Sequence, residues 1–411
     1  MLREVFPNNY NRYGSLPVLG PHLDAFAVWL HEQGYPLYPI KNRIRATECL
    51  AQKLRRDGVR RPSDLTATEL LDYIPSKAKD IYLAAVIRSL VRYFDAQGIL
   101  ASKQVTTTQE LLASYGSYLE GVRGLSKSTI AYRHATACEL LDMVGYDEDT
   151  NRIRHLNHRD VEAFLEVLGG RLCRASLQHA VSNIRCFLHF LVTDNLVPGD
   201  FSIHIDTPRI YRDEQLPRSV PWELVRKLLS SIDRSTPMGR RDYAMLLLIA
   251  TYGLRVSEVA SLTLDDVEWR AGYLRLIRPK SDGRLMLPLT DEAGNALVDY
   301  IRNGRPSLCH REIFLRLTAP AGALSRSAVA KVFRRCVQRS ELPIPFQGPH
   351  CLRHSVAVHL LRQGTSMKAI SDLLGHRSVE STAVYLRLDI EDLREVALDL
   401  PTTNVRRGKN Q

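Results

Sequence analysis

The residues of the C-terminal half that could do chemistry are basic, with one tyrosine among them. In chain order they are Arg255, Lys280, His350, Arg353, His376 and Tyr385. A guanidinium is a planar fork that bonds two phosphate oxygens at once, so two arginines can neutralise the charge that develops on a phosphate under attack. His350 and Arg353 are three residues apart, which places them on one face of a helix. The set predicts a site for one phosphate group.

Tyr385 is the member of this set that could act as a nucleophile. A phenol has an ordinary pKa near 10, so it needs a positive setting to be activated. The sequence offers no carboxylate cluster for a metal. His350, His354 and His359 lack the glutamate and the third ligand spacing that are typical of zinc sites. We therefore expect no cofactor and no metal.

Each of these residues also has an ordinary structural interpretation. Arg255 could form a surface ion pair with Glu258, and Tyr385 could belong to the hydrophobic core. His354 and His376 could be hydrogen-bonded residues at helix ends. The functional interpretation depends on the joint occurrence of the set, in order, and not on any single member.

The segments that must position these residues predict helices around a small sheet. Apolar residues at helical spacing predict helices over residues 222–232 and 240–252, and again from Ser327 onward, with Arg255 opening a helix. Alternating residues at 273–278 and 284–289 flank an Asp-Gly turn that carries Lys280, which is typical of a β-hairpin. Residues 313–315 are predicted as a third short strand. The C-terminal domain is therefore mainly helical with a small antiparallel sheet.

The first half of the chain repeats itself. Residues 16–100 can be laid over residues 107–197, with Trp29 matching Tyr118 and Leu65 matching Leu156. Each copy has helical periodicity, and Thr66 and Asn157 stand where helix N-caps are expected. This pattern predicts a duplicated helical module, although any two four-helix modules share some likeness. Three prolines between residues 205 and 221 break regular structure and predict a linker.

Composition narrows the class of protein. A chain of 411 residues with 45% apolar and 25% charged residues is typical of a globular protein with several domains. Its formal net charge of +11 favours a polyanion such as nucleic acid as partner. The seven cysteines are scattered and form no CxxC pair, so no disulfide framework or zinc knuckle is expected. The N-terminus lacks a secretory signal and no apolar segment approaches membrane-spanning length, which predicts a cytoplasmic protein.

The sequence resembles the tyrosine recombinases, the phage integrase family. That family has an arginine in a GLRxSE segment, a lysine on a β-hairpin, an HxxR pair, a histidine or tryptophan in an LGH segment, and a tyrosine nine residues later. This chain reads GLRVSE around Arg255, HCLR from His350 to Arg353, and LGH ending at His376, with Tyr385 nine residues on. Residues 107–197 look like the family's helical core-binding domain. Two features depart from the family: Lys280 lacks the usual glycine-rich turn, and the module at residues 16–100 is additional.

The resemblance implies a reaction and its partners. Tyr385 would attack a phosphate of double-stranded DNA at a specific recombination site, giving a 3′-phosphotyrosine. Arg255 and Arg353 would stabilise the transition state, Lys280 would be the general acid, His350 would accept the tyrosine proton, and His376 would bind a nonbridging oxygen. Strand exchange between two sites implies a homotetramer on DNA, formed from monomers and joined by the apolar stripe of residues 390–400. The alternative is that this predicted helix packs on its own catalytic domain. Integration, excision and transposition are the expected settings.

The resulting fold is mainly α with a small antiparallel sheet, in several domains. We expect an extra N-terminal helical module, a probable DNA-binding repeat, at residues 1–104, and a core-binding domain at 105–206. A linker at 207–220 and a catalytic domain at 221–411, with a C-terminal helix and tail, follow. Two other functions remain open: a DNA-binding protein that has lost cutting, and a type IB topoisomerase.

Overall fold

The computed structural model describes residues 1–75, 81–102, 105–209, 218–278, 283–346, 348–376, 378 and 380–388. The described residues form two compact units. One unit takes in those within Met1–Arg60, Pro75–Tyr93 and Gln215–Gln411, and the other takes in those within Arg61–Ile74 and Phe94–Glu214. Within these ranges, no helix is long and apolar enough to cross a membrane.

The first half of the chain is helical. Its α-helices are α1 (Leu2–Val5), α2 (Tyr10–Gly14), α3 (Leu23–Glu32), α4 (Leu37–Arg56), α5 (Ala67–Asp72), α6 (Ile81–Ala96), α7 (Thr107–Gly121), α8 (Lys127–Val144), α9 (His158–Gly169) and α10 (Arg174–Thr193). A 3-10 turn precedes α5, and another precedes α9. The order α3 to α6 therefore matches the order α7 to α10, element for element.

The buried positions of the two series also match. Thr66 and Asn157 each cap the following helix by accepting a hydrogen bond from the backbone N–H three residues on, as predicted. Residues 23, 26 and 30 of α3 are buried, and so are the residues 89 positions later in α7; residues 87, 90 and 94 of α6 recur in the same way 97 positions later in α10. These pairs are Leu23 and Leu112, Phe26 and Tyr115, Leu30 and Leu119, Ile87 and Ile184, Leu90 and Phe187, and Phe94 and Leu191. The two series therefore share the order of their helices and the burial of these six pairs, and the duplication stays a prediction.

The second half surrounds a small sheet with helices. Its elements are α11 (Trp222–Ser230), α12 (Pro237–Tyr252), α13 (Val256–Ser261), β1 (Val267–Glu268), β2 (Tyr273–Arg278), β3 (Gly283–Pro288), α14 (Asp291–Asn303), α15 (Arg326–Ser340), α16 (His350–Arg362), α17 (Met367–Leu374), α18 (Glu380–Ala383) and a 3-10 helix (Val384–Leu388). Helix α12 lies at the centre, with nearly every residue buried. It begins at Pro237, earlier than expected, because Thr236 caps it and proline is favoured in the first helical turn.

The sheet is antiparallel in the order β1-β2-β3, and β2 pairs with β3 from Tyr273 opposite Pro288 to Arg278 opposite Gly283. The predicted hairpin is confirmed, although its turn at residues 279–282, with Lys280, lies outside the described residues. The third strand is not at residues 313–315, as predicted, but at β1. Phe314 and both its neighbours are fully buried, and their backbone groups bond to separate partners such as the Tyr300 hydroxyl instead of one ladder. A short apolar run does not distinguish a strand from a buried loop.

Candidate active site

Arg255 is held at the start of α13 by one carboxylate. Helix α12 ends at Gly253 in the left-handed conformation, with φ of 61°, and Arg255 then becomes the N-cap of α13. Glu258 accepts hydrogen bonds from the Arg255 backbone N–H and from Nη1, each at 2.8 Å. The Glu258 side chain is only 6% exposed, whereas that of Arg255 is 40% exposed. The buried carboxylate therefore orients a guanidinium that still reaches solvent.

Arg353 is buried, in contrast, with 2% of its surface exposed. Its Nη1 donates to the carbonyl of Gly253, and its Nη2 donates to the carbonyl of Leu374 at 2.6 Å. Arg255 Nη2 donates to the carbonyl of Gly375 at 3.2 Å. These carbonyls belong to the C-terminal ends of α12 and α17, where backbone oxygens lack helical partners and the helix dipole is negative. Two helix ends thus anchor both arginines.

His376 follows the left-handed Gly375 that ends α17. Its Nδ1 lies 2.8 Å from Oγ1 of Thr382, and Thr382 is fully buried. This hydrogen bond fixes the rotation of the imidazole. The His376 ring is stacked beside that of Tyr385, with centroids 6.4 Å apart and planes 18° apart.

Tyr385 lies in the 3-10 helix at the end of the described chain and is 2% exposed. Its ring belongs to a small apolar cluster with Ala357, Val358, Ile370 and Leu374. Burial raises the pKa of the phenol, and only Arg353 acts in the opposite direction. The hydroxyl lies 2.9 Å from Nδ1 of His354.

Two histidines on α16 are close to this hydroxyl and to the arginines. The rings of His350 and His354 meet edge to face, with centroids 4.5 Å apart. Desolvation of the ring, followed by the charges of Arg353 and Arg255, lowers the pKa of His350, although the residue as a whole is solvent-exposed. Burial, with His350, Arg353 and His376 nearby, lowers the pKa of His354 to about 4. Both imidazoles are therefore neutral near pH 7.

The structure brings five of the six predicted residues into one connected site. They are Arg255, His350, Arg353, His376 and Tyr385, joined by the contacts above. Lys280 lies outside the described residues. Among the described residues, no group of three or more histidine, cysteine, aspartate or glutamate side chains could hold a metal ion.

The structure adds three residues to the predicted site. Glu258, His354 and Thr382 contact Arg255, Tyr385 and His376 respectively. Glu258 is three residues after an N-cap, the spacing of a capping box, and that signal is visible in the sequence. His354 is four residues after His350 and so shares its helix face. No sequence signal marks Thr382. The ordinary structural interpretations of Arg255 and Tyr385 also hold, since Arg255 does pair with Glu258 and Tyr385 is buried.

The chain is similar in sequence to known proteins. The phage integrase family model matches residues 220–391. The tyrosine recombinase XerD of Listeria monocytogenes is 32% identical over 296 residues, which cover 70% of this chain and 97% of that protein. A Sinorhizobium fredii protein described as a candidate integrase/recombinase is 32% identical over 398 residues, covering 94% of this chain and 96% of that protein.

Solved structures share the fold. The XerH site-specific recombinase, bound to a palindromic difH substrate after cleavage, has a TM-score of 0.55 at 19% identity, over 74% of this chain and 92% of that one. The integrase of transposon Tn1549, in complex with a circular intermediate DNA, has a TM-score of 0.52 at 17% identity, over 70% of this chain and 99% of that one. The solved structures share the fold, and the sequence relatives establish that the chain is a tyrosine recombinase that belongs to the phage integrase family.

Proposed function

We propose that Tyr385 is the nucleophile that cleaves one strand of double-stranded DNA at a specific site. A bond forms between its phenolic oxygen and the phosphorus, and the bond to the 5′-oxygen breaks, which leaves a 3′-phosphotyrosine. A 5′-hydroxyl from the partner strand then attacks this link and releases Tyr385. The phosphodiester energy is conserved in the covalent link, so the reaction requires no nucleotide.

The observation that carries this proposal is the attachment of both arginines to the C-terminal end of α17, which packs beside Tyr385. Arg353 bonds to the carbonyl of Leu374, which packs in the same cluster as the Tyr385 ring, and Arg255 bonds to the next carbonyl, that of Gly375. Guanidiniums fixed in advance stabilise the charge of a phosphorane without reorganising during the reaction. We assign Arg255 and Arg353 this role.

The remaining roles follow from protonation and position. His350 has a lowered pKa, so it is neutral near pH 7 and is assigned as the acceptor of the phenol proton. His376, whose ring Thr382 orients, is assigned a hydrogen bond to a nonbridging phosphate oxygen. Lys280 is assigned from the family resemblance as the general acid that protonates the leaving 5′-oxygen.

We further propose that the protein is a monomer in solution and a homotetramer on two paired DNA sites, since each protomer carries one Tyr385 and two duplexes must each be cut twice. The XerH and Tn1549 structures described above contain DNA, and the net charge of +11 supports the same partner here. The predicted joining segment at residues 390–400 lies outside the described residues. DNA integration, excision or transposition in the cytoplasm is the setting that fits this reaction.

A suicide DNA substrate, whose cleaved fragment diffuses away, tests the nucleophile. We expect wild-type protein to form a covalent adduct that maps to Tyr385, and we expect Tyr385→Phe to bind DNA equally well but to form none, because it lacks only the attacking oxygen. Tyr300→Phe is the matched control, since Tyr300 is also fully buried in this half of the chain. Adduct formation by Tyr385→Phe at the wild-type yield would contradict the assignment.

A further inference from the structure

The hydroxyl of Tyr385 faces the neutral imidazole of His354 inside the protein. His354 Nδ1 lies 2.9 Å from the hydroxyl, and the tyrosine is 2% exposed. The structure therefore shows the reactive oxygen of Tyr385 engaged by His354 while the ring is packed in its apolar cluster.

We propose that His354 is a positioning residue that holds the Tyr385 hydroxyl in a buried resting place, and that this hydrogen bond breaks before the tyrosine attacks DNA. The proposal rests on the function proposed above for Tyr385. The phenol keeps its proton when it leaves His354, and His350 accepts that proton later, during attack. His354 itself takes no part in the bond changes.

The surroundings of His354 favour holding over proton transfer. His350 and Arg353 lie on its own helix, and His376 and Tyr385 lie on the elements packed against it; apart from the phenol, each of these groups disfavours a positive charge on His354. We assign His354 the neutral tautomer in which Nδ1 accepts a hydrogen bond from the phenol and Nε2 carries the ring proton. The phenol pKa is raised by burial at the same time, so the stored tyrosine is a poor nucleophile.

Two substitutions at His354 distinguish the effect of its hydrogen-bond acceptor from the effect of its ring. His354→Phe keeps a flat ring against His350 but lacks the acceptor, whereas His354→Asn places an amide oxygen close to the position of Nδ1 and lacks the ring. The probe is N-acetylimidazole, which acetylates accessible phenols, applied to the full-length protein without DNA. Peptide mass spectrometry measures the acetylation rate of each tyrosine.

We expect Tyr385 in His354→Phe to react about tenfold faster than in wild type, because a buried phenol without a partner favours the exposed state. We expect His354→Asn to protect Tyr385 nearly as well as wild type. Tyr300, which is fully buried in the same unit, reports folding and should remain protected in both variants, while Tyr38, which is 72% exposed, should react at one rate throughout. Equal protection of Tyr385 in His354→Phe and wild type, or loss of protection in a folded His354→Asn, would overturn the proposal.

Single-turnover cleavage of the suicide substrate provides a second measurement. We expect His354→Phe to cleave bound DNA at least as fast as wild type, because the hydroxyl no longer has to leave an acceptor. A decrease of tenfold or more with unchanged DNA binding would instead show that His354 takes the phenol proton, and would refute the holding role. If wild-type protein forms no adduct, the proposed function fails, while the acetylation rates still decide whether His354 holds Tyr385.

Discussion

At the residue scale, the two arginines of the site differ in their burial and in their hydrogen-bond partners. Arg353 is buried and bonds to carbonyls on two different helices, whereas Arg255 is partly exposed and is oriented by the carboxylate of Glu258. A buried cation must keep its partners, since leaving a buried polar group unpaired is costly. Arg353 therefore contributes to the fold as well as to the proposed chemistry.

Replacing Arg353 by lysine should impair both the stability of the fold and the cleavage of DNA. A single ammonium cannot reproduce the fork that reaches the carbonyls of Gly253 and Leu374, so we expect the cleavage rate to fall by about 10²-fold or more and the free energy of unfolding to fall by about 1–3 kcal/mol. Single-turnover cleavage and urea unfolding measure the two effects. Arg334→Lys, at an exposed position of α15, is the control and should change neither. Normal cleavage by Arg353→Lys would exclude the two-arginine arrangement.

The depressed pKa of His354 predicts a loss of stability in mild acid. The folded state keeps the imidazole neutral down to about pH 4, whereas the unfolded chain binds a proton near its ordinary pKa of 6.5. The contribution to stability is therefore complete above about pH 6.5 and is lost as the pH falls toward 4. When the pH falls from about 7 to about 5, we expect the free energy of unfolding of the wild type to decrease by on the order of 1–2 kcal/mol more than that of His354→Asn. Urea unfolding at several pH values measures this difference. If the unfolding free energies of the two proteins decrease equally over this range, the histidine is not buried in its neutral form.

At the element scale, the ends of α12 and α17 do more than stop two helices. Both end in a left-handed glycine, Gly253 with φ of 61° and Gly375 with φ of 62°. Glycine adopts this left-handed conformation readily because it has no Cβ, and the conformation turns the last carbonyls of each helix outward. Those carbonyls are the ones that hold Arg353 and Arg255. The glycines are therefore required for the position of the guanidiniums.

Gly253→Ala tests this link between helix end and site. A methyl group at Gly253 would lie 2.5 Å from Cδ2 of Leu374, whose carbonyl binds Arg353, in addition to the strain of the left-handed backbone. We expect a loss of about 2–4 kcal/mol in unfolding free energy and a clear loss of cleavage. Gly364→Ala is the matched control, because Gly364 has φ of +78° with nothing within 4 Å of the added methyl. The control should cost only the backbone strain of about 1–2 kcal/mol, and equal losses in the two variants would refute the steric link.

At the scale of the whole molecule, the N-terminal module predicted at residues 1–104 raises the question of what it binds. Its helix α4 carries exposed Arg45, Arg55 and Arg56. Deletion of residues 1–104 would be an ambiguous test, because Arg61–Ile74 belong to the other compact unit. Substitutions in the full-length chain avoid this difficulty.

If the module is a second DNA-binding repeat, its surface arginines contact phosphates and release counterions. Replacing both Arg55 and Arg56 by glutamine should then reduce the slope of log affinity against log salt by about 1–2, uniformly across DNA sequences. Replacing both by lysine keeps the charge and should keep the slope. Titration of a labelled recombination site at several salt concentrations measures this. An unchanged slope with glutamine would mean that these arginines do not bind DNA.

Much of this molecule could be predicted from local patterns in its sequence. The helix caps at Thr66 and Asn157, the hairpin and the helix that joins His350 to Arg353 depend on residues within a few positions of one another. Periodicity and capping act over that same range, so the sequence displays them directly. The prediction of a strand at residues 313–315 was wrong. The apolar run there reflects burial, and both strands and loops can be buried.

The site itself was predicted by residue identity but not by geometry. The sequence alone determined which side chains could act on a phosphate, since Arg255, Arg353 and Tyr385 occur in a recognisable order. Only the tertiary structure decided that Arg353 bonds to a carbonyl 100 residues away, and that the Tyr385 hydroxyl meets His354 instead of solvent. Such contacts form when helices distant in the chain pack together, and the direction and burial of each side chain are set by that packing and not by its neighbours in sequence.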